Sequence, residues 1–211
     1  MENVRIALAG HDLLHVDAAI KPGEVLTVMG PSGSGKSTLL AFIGGFLDPV
    51  FSASGRIFCS GNDITFERPQ ARRAGLLFQD PLLFPHMSVG ANLLFAMPPK
   101  IKPQVKRRQE AEASLASVGL EGYFDRDPDT LSGGQKARVA LARVLISQPA
   151  FLLLDEPFSK LDADRRDQMR RLVFDQAKQI GLPVLLVTHD RADAEAAGGT
   201  IIEVGITRNG Q

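Results

Sequence analysis

VLTVMGPSGSGKSTLLAF, residues 25–42, changes character twice in eighteen positions. Five residues with no charge and little polarity predict a buried strand over 25–29, and an apolar helix is expected over 38–46. Between them GPSGSGKS (30–37) has the form G-x-x-x-x-G-K-[ST] in the strand-to-helix setting that this motif requires. Its glycines let backbone N–H groups close around phosphate oxygens, with the positive end of the helix dipole behind them. Lys36 then reaches the β and γ phosphates, and the Ser37 hydroxyl is placed to ligate Mg²⁺. A glycine-rich turn without a ligand is the plainer alternative, and the rest of the chain weighs against it.

Working outward, short apolar runs recur at VRIALA (4–9), GRIFCS (55–60), AGLLFQ (74–79), FLLLD (151–155), VLLVTH (184–189) and TIIEV (200–204). Several lack period-two alternation, as strands covered on both faces do. A helical pattern at 163–180 separates two of them, so the order strand, helix, strand predicts an α/β fold around a parallel sheet. Residues from about 81 to 148 offer helices and proline-marked loops but no convincing strand. They read as a helical lobe inserted into an α/β core of residues 1–80 and 149–211, the whole being one domain. Within the lobe, the basic run KIKPQVKRR (100–108) is expected to be a solvated helix face rather than a contact for an acidic partner.

Two strand ends carry chemistry. FLLLDEP (151–157) ends in paired carboxylates, and because side chains alternate along a strand, Asp155 and Glu156 should point in different directions. One is free to serve Mg²⁺ while the other polarises a water, and Glu156 is the expected base. In VTHD (187–190), Asp190 is the expected N-cap of a helix over 191–197, which leaves His189 at the sheet edge where open α/β sheets bind ligands. His11, His15 and His86 have no comparable setting.

The totals bound the function. The 211 residues carry 24 Lys and Arg against 24 Asp and Glu, so no overall charge draws the chain to nucleic acid or to an anionic membrane. The single cysteine, Cys59, cannot form an internal disulfide and is expected on a strand facing the core, which suits a reducing compartment. MENVRIALAG is not a signal peptide, and LLAFIGGFL (39–47) falls short of a membrane span. Any membrane attachment is expected to come through a partner.

TLSGGQKARVALAR (130–143) is harder to read. Ser132 and Gln135 fit a capping box, and Ala137, Leu141, Val144 and Leu145 form an apolar stripe, so a helix start explains most of it. It does not explain two consecutive glycines there, which cost stability unless something approaches the backbone closely. Spacing alone leads only to a supplementary phosphate contact.

The set GPSGSGKST, LLFQD (76–80), LSGGQ (131–135), LLLDEP (152–157), SKLD (159–162) and THD (188–190), in that order, resembles the ATP-binding subunits of ABC transporters over essentially the whole chain. The resemblance implies a phosphate-loop NTPase core with a parallel sheet, an antiparallel β portion and an inserted helical lobe. It implies that Gly30, Pro31, Ser32, Gly33, Ser34, Gly35, Lys36, Ser37 and Thr38 cradle the triphosphate of ATP. Gln79 and Asp155 would serve Mg²⁺ and the water, Glu156 would be the base, and His189 would sense the γ-phosphate. Ser132, Gly133, Gly134 and Gln135 would complete the site of a facing copy, with Asp162 lining the shared interface. The implied assembly is an ATP-bound homodimer, or a pair with another ATPase subunit, on membrane-spanning permease subunits, contacted by the lobe near 80–95 at the cytoplasmic face of the inner membrane, with a substrate-binding protein as a further partner and no nucleic acid.

The stretch RPQARRAGLLFQDPLLFPHMSV (68–89) is similar to small bacterial importer ATPases, thiamine-type ones included. Two departures stand out. Family members stack adenine on an aromatic residue upstream of the loop, whereas residues 1–41 hold no Phe, Tyr or Trp, which leaves His11 or Leu13 as substitutes. The regulatory C-terminal domain of sugar-type importers is also not expected here. The alternatives are a soluble ABC-class ATPase of DNA repair or translation, a small GTPase or kinase, and a non-hydrolysing ATP sensor. Neutral charge and a single cassette weigh against the first, LSGGQ against the second, and Glu156 with His189 against the third.

Overall fold

The structure, a computed structural model, describes residues 1–101 and 103–205; Lys102 of the basic run and residues 206–211 lie outside it. The chain divides into two compact units, Met1–Leu76 with Ala150–Glu156 and Ala177–Gln211, and Leu77–Pro149 with Pro157–Gln176. Residues 157–176, assigned to the core from sequence, thus group with the helical unit.

In the first unit, β3 (Val25–Met29), β8 (Phe151–Asp155) and β9 (Val184–Thr188) are buried almost without interruption, which is why they show no alternation. They lie in a five-stranded sheet with β7 (Ala74–Leu77) and β10 (Thr200–Glu203), in the order β10-β3-β9-β8-β7. The pairs β10 with β3, β3 with β9 and β9 with β8 are parallel. A second, antiparallel sheet has the order β2-β1-β4, from β1 (Glu2–Leu8), β2 (His11–Val16) and β4 (Phe51–Arg56). GRIFCS is not one strand, because β4 ends at Arg56 and a short hairpin of β5 (Phe58–Cys59) and β6 (Asn62–Asp63) follows. Cys59 is half-buried against the core.

One core fills the space between the sheets. Leu26, Val28, Leu153, Leu185 and Val187 meet Leu39, Leu40 and Ile43 of α1 (Lys36–Gly44) and Val4, Ile6, Leu14 and Val16 of the antiparallel strands. On the other face of the parallel sheet, α7 (Arg191–Ala197) packs against β3 and β9. A four-residue helix, α2 (Pro69–Arg72), carries the buried Arg72, whose guanidinium donates to four carbonyls including those of Phe42 and Ile43 at the end of α1.

The second unit is helical, with no strand among its described residues beyond Leu77 at the end of β7. It holds α3 (Val89–Ala96), α4 (Gln104–Ser117), α5 (Gly133–Ile146) and most of α6 (Ala163–Gln179). The basic run is mostly committed locally: Arg107 donates to the carbonyls of Leu94 and Pro98, and Arg108 pairs with Glu112 and Asp125. The expected stripe on α5 is a correction. Val139, Ala140, Leu141 and Ala142 are all buried, so α5 is enclosed on all sides at its middle and contacts both α3 and α4. Four consecutive buried residues span a full helical turn, which a one-sided pattern cannot show.

Candidate active site

Three neighbouring strands end at one level. Met29 of β3 pairs with Thr188 of β9, and Asp155 of β8 pairs with Val187. The sheet thereby places the loop after β3, the carboxylates after β8 and the histidine after β9 along its carboxyl edge, where open α/β sheets take ligands.

The loop 30–37 is held by its own chemistry. Gly33 and Gly35 have φ of 84° and 83°, in the left-handed region that glycine enters freely. Gly30 has a different reason, since a Cβ there would stand 2.3 Å from the Val204 carbonyl oxygen. A Cβ at Gly33 would meet no atom within 4 Å, so that side of the loop faces open space. Lys36 is buried, with its ammonium donating at 2.8 Å to the carbonyls of both Gly30 and Pro31, and Ser34 Oγ donates to Pro31 O at 2.9 Å. The helix α1 begins at Lys36, two residues earlier than expected, because Gly35 in its left-handed conformation serves as the cap. Leu13 and Leu14 of β2 border Gly35, whereas His11 is exposed.

Two polar pairs complete this edge. Ser37 Oγ donates to Asp155 Oδ1 at 2.9 Å, joining residues 118 positions apart in sequence. Burial raises the Asp155 carboxyl above the usual carboxylate range; the Ser37 hydrogen bond opposes this, the Glu156 charge adds to it, and the Lys36 charge opposes it. A hydroxyl and a carboxylate oxygen side by side are hard donors of the kind Mg²⁺ takes beside phosphate oxygens and water, so the residues present fit that ion. Glu156 Oε1 lies 2.9 Å from His189 Nδ1. The Glu156 backbone has φ of 45° and its N–H donates to Val187 O at 3.0 Å. A non-glycine residue in this region is uncommon and carries strain, which natural chains tend to retain at functional positions. Asp155 and Glu156 have separate partners, Ser37 and His189, and the left-handed backbone of Glu156, just past the end of β8, is what turns the chain between them. Asp190 Oδ1 accepts from Ala192 N at 2.8 Å, so the expected cap of α7 is present.

The other expected residues belong to the second unit. Gln79 is exposed, two residues past β7, and lines a cleft of about 290 Å³ with Gly133, Lys136 and Lys160. Ser132 and Gln135 form the capping box in full: Ser132 Oγ accepts from Gln135 N at 3.3 Å and Gln135 Oε1 accepts from Ser132 N at 2.9 Å. A Cβ at Gly133 would meet nothing within 4 Å and its φ is not positive, so folding places no demand for glycine there. At Gly134 the would-be Cβ stands 3.3 Å from Arg165 Cδ. Asp162 accepts from Arg165 N at 3.1 Å, a helix-capping contact at the start of α6. Sequence reasoning missed Arg143 and Asn92, polar side chains buried wholly or in part in this unit and joined to the segment after Gln79. Their partners are backbone carbonyls and an amide, which leave no motif.

Comparison with known proteins identifies the family. The family described as ABC transporter matches residues 13–159. An uncharacterized ABC transporter ATP-binding protein, YnjD of Escherichia coli K12, is 46% identical over 197 residues, 93% of this chain and 90% of its own length. The thiamine import ATP-binding protein ThiQ of Photobacterium profundum is 44% identical, covering 84% of this chain and 73% of that protein. The Fe(3+) ions import ATP-binding protein FbpC of E. coli K12 is 40% identical over 89% of this chain, but the chain spans only 53% of that relative. Among solved structures, the dimeric ATP-binding cassette MJ0796 in a post-hydrolysis state bound to ADP and Pi superposes with a TM-score of 0.77 at 29% identity, covering 99% of this chain and 98% of the other. The cbiO1 cassette of Clostridium perfringens gives 0.82 at 29% identity, over 97% and 87%. This chain belongs to the ABC transporter family, as an ATP-binding cassette and ATPase.

Proposed function

We propose that this ATPase drives import, working as a pair of copies docked on membrane-spanning permease subunits at the cytoplasmic face of the inner membrane. Among the described residues no helix is long and apolar enough to cross a membrane. The importer assignment rests on the likeness to the thiamine and iron import proteins. The observation that carries hydrolysis is Glu156, a strained carboxylate at a strand end, 2.9 Å from His189 and beside the Ser37–Asp155 pair.

Backbone N–H groups from Gly30 to Thr38 hold the triphosphate, and Lys36 exchanges its loop carbonyls for phosphate oxygens. Ser37, Asp155 and Gln79 would hold Mg²⁺, which when bound would supply positive charge to the triphosphate. Glu156 takes a proton from the water whose oxygen bonds to the γ-phosphorus as the bond to ADP breaks. His189 donates to the γ-phosphate. Ser132, Gly133, Gly134 and Gln135 of the facing copy close the site over that phosphate, with Asp162 at the boundary.

The test is Glu156→Gln, which keeps the side chain's size and removes its basicity. The expected result is a fall in turnover of about 10²–10⁴ with ATP still bound, since general-base catalysis contributes on that order. Turnover close to that of the unmodified chain would overturn the assignment of the base.

A further inference from the structure

The chain after Gln79 is held in an unfavourable shape. Leu82 has φ of 46°, strained for a residue with a Cβ, and its side chain is 59% exposed, so its own packing does not hold it there. What holds it is a fork. Arg143, in the last turn of α5, donates from Nη2 to Pro81 O at 2.9 Å and from Nη1 to Leu82 O at 2.8 Å. Burial lowers the Arg143 pKa from the usual arginine value, and its guanidinium also lies 5.6 Å from the Phe84 ring centroid. Asn92, fully buried on α3, continues the grip: its Oδ1 accepts from Phe84 N at 2.9 Å, and its Nδ2 donates to the carbonyls of Phe84, Met87 and Ser88 at 3.0–3.3 Å.

Two polar side chains, Asn92 buried and Arg143 half-buried, thus fix residues 81–88, and both do so through the backbone. A guanidinium that bridges two successive carbonyls sets direction as well as distance, which a lysine ammonium does not. The helix that carries Arg143 at its end begins at Ser132 and Gly133. Gln79 lies two residues before the first clamped carbonyl.

We propose that Arg143 is a positioning residue: from the far end of the helix that starts at the Ser132 cap, it fixes the backbone of residues 81–82 and through it the setting of Gln79. This rests on the reading of Gln79 as a residue serving the metal and the water.

The test is Arg143→Lys, which keeps the charge and loses the fork, measured by hydrogen exchange and by steady-state kinetics on the full chain. In the nucleotide-free chain, exchange of the amides in 81–88 should speed up about tenfold while the rest of α5 keeps its protection. The kcat for ATP should fall about tenfold with KM unchanged, because the lost geometry concerns the water and not the binding of ATP. Adding Leu82→Gly, which enters the left-handed region at no steric cost, should bring both exchange and kcat back toward the unmodified chain. A packing role alone would loosen all of α5 and would not respond to glycine at 82. Unchanged exchange in 81–88 overturns the clamp, whatever the turnover. Faster exchange with unchanged kcat overturns the link to Gln79. An unmodified chain without turnover would count against the reading of hydrolysis, while the exchange measurement still decides the clamp.

Discussion

Asp155 and Glu156 are neighbours with opposite physical situations. Asp155 is partly buried beside Ser37, and burial makes its charged form the costly one in the fold. Its folded pKa is raised, so the stability handicap is complete above that raised value and absent below the ordinary carboxylate range. Asp155→Asn should therefore melt at a higher temperature than the unmodified chain at neutral pH, with the gap closing as the pH falls into the carboxylate range. The same variant should lose its Mg²⁺-dependent turnover by about 10² or more, because one metal ligand and its charge are gone. A melting temperature below that of the unmodified chain at neutral pH would contradict the burial argument. The placement of Lys36, Asp155, Glu156 and His189 along one sheet edge was legible in the sequence, since a glycine loop, a carboxylate pair and a histidine each follow a buried strand. The left-handed backbone of Glu156 was not, because nothing in LLLDEP encodes φ. Arg143 was invisible for a related reason: an arginine near a helix end reads as a solvated charge until the carbonyls of residues 81 and 82 are placed against it.

Helix α5 separates what folding needs from what it does not. Ser132 is needed, since its hydroxyl and the Gln135 amide satisfy two otherwise unpaired N–H groups. Ser132→Ala should cost about 1 kcal/mol, a fall of roughly 2–4 °C in melting temperature for a chain of this size. Gly133 is not needed, because a Cβ there meets open space and its φ is ordinary. Gly133→Ala should leave the isolated chain unchanged or stabilise it by about 0.4–1 kcal/mol, and yet abolish ATP-dependent pairing, as read by sedimentation in the Glu156→Gln background. Loss of stability on Gly133→Ala would mean that the glycine serves the fold. The capping box was readable from S-x-x-Q, but the burial of α5 on all sides was not, because α3 and α4 cover faces whose residues look amphipathic in isolation.

The molecule as a whole keeps its phosphate-binding loop in one unit and its LSGGQ segment in the other. The parallel sheet was legible because β3, β8 and β9 are apolar throughout. Strand β2, HDLLHV, went unrecognised, since its exposed histidines interrupt the apolar signal and its partner β1 supplies the pairing. With 24 positive and 24 negative residues the chain carries no net charge, so the proposed pairing meets no net repulsion between copies. The most direct measurement mixes Lys36→Ala with Gly133→Arg. Each alone is predicted to be inactive, while an equal mixture should regain about a quarter of the unmodified turnover per chain, because about half of its pairs are mixed and each mixed pair holds one whole site. No recovery in a mixture that forms mixed pairs, or full turnover by either variant alone, would contradict a site completed by a second copy.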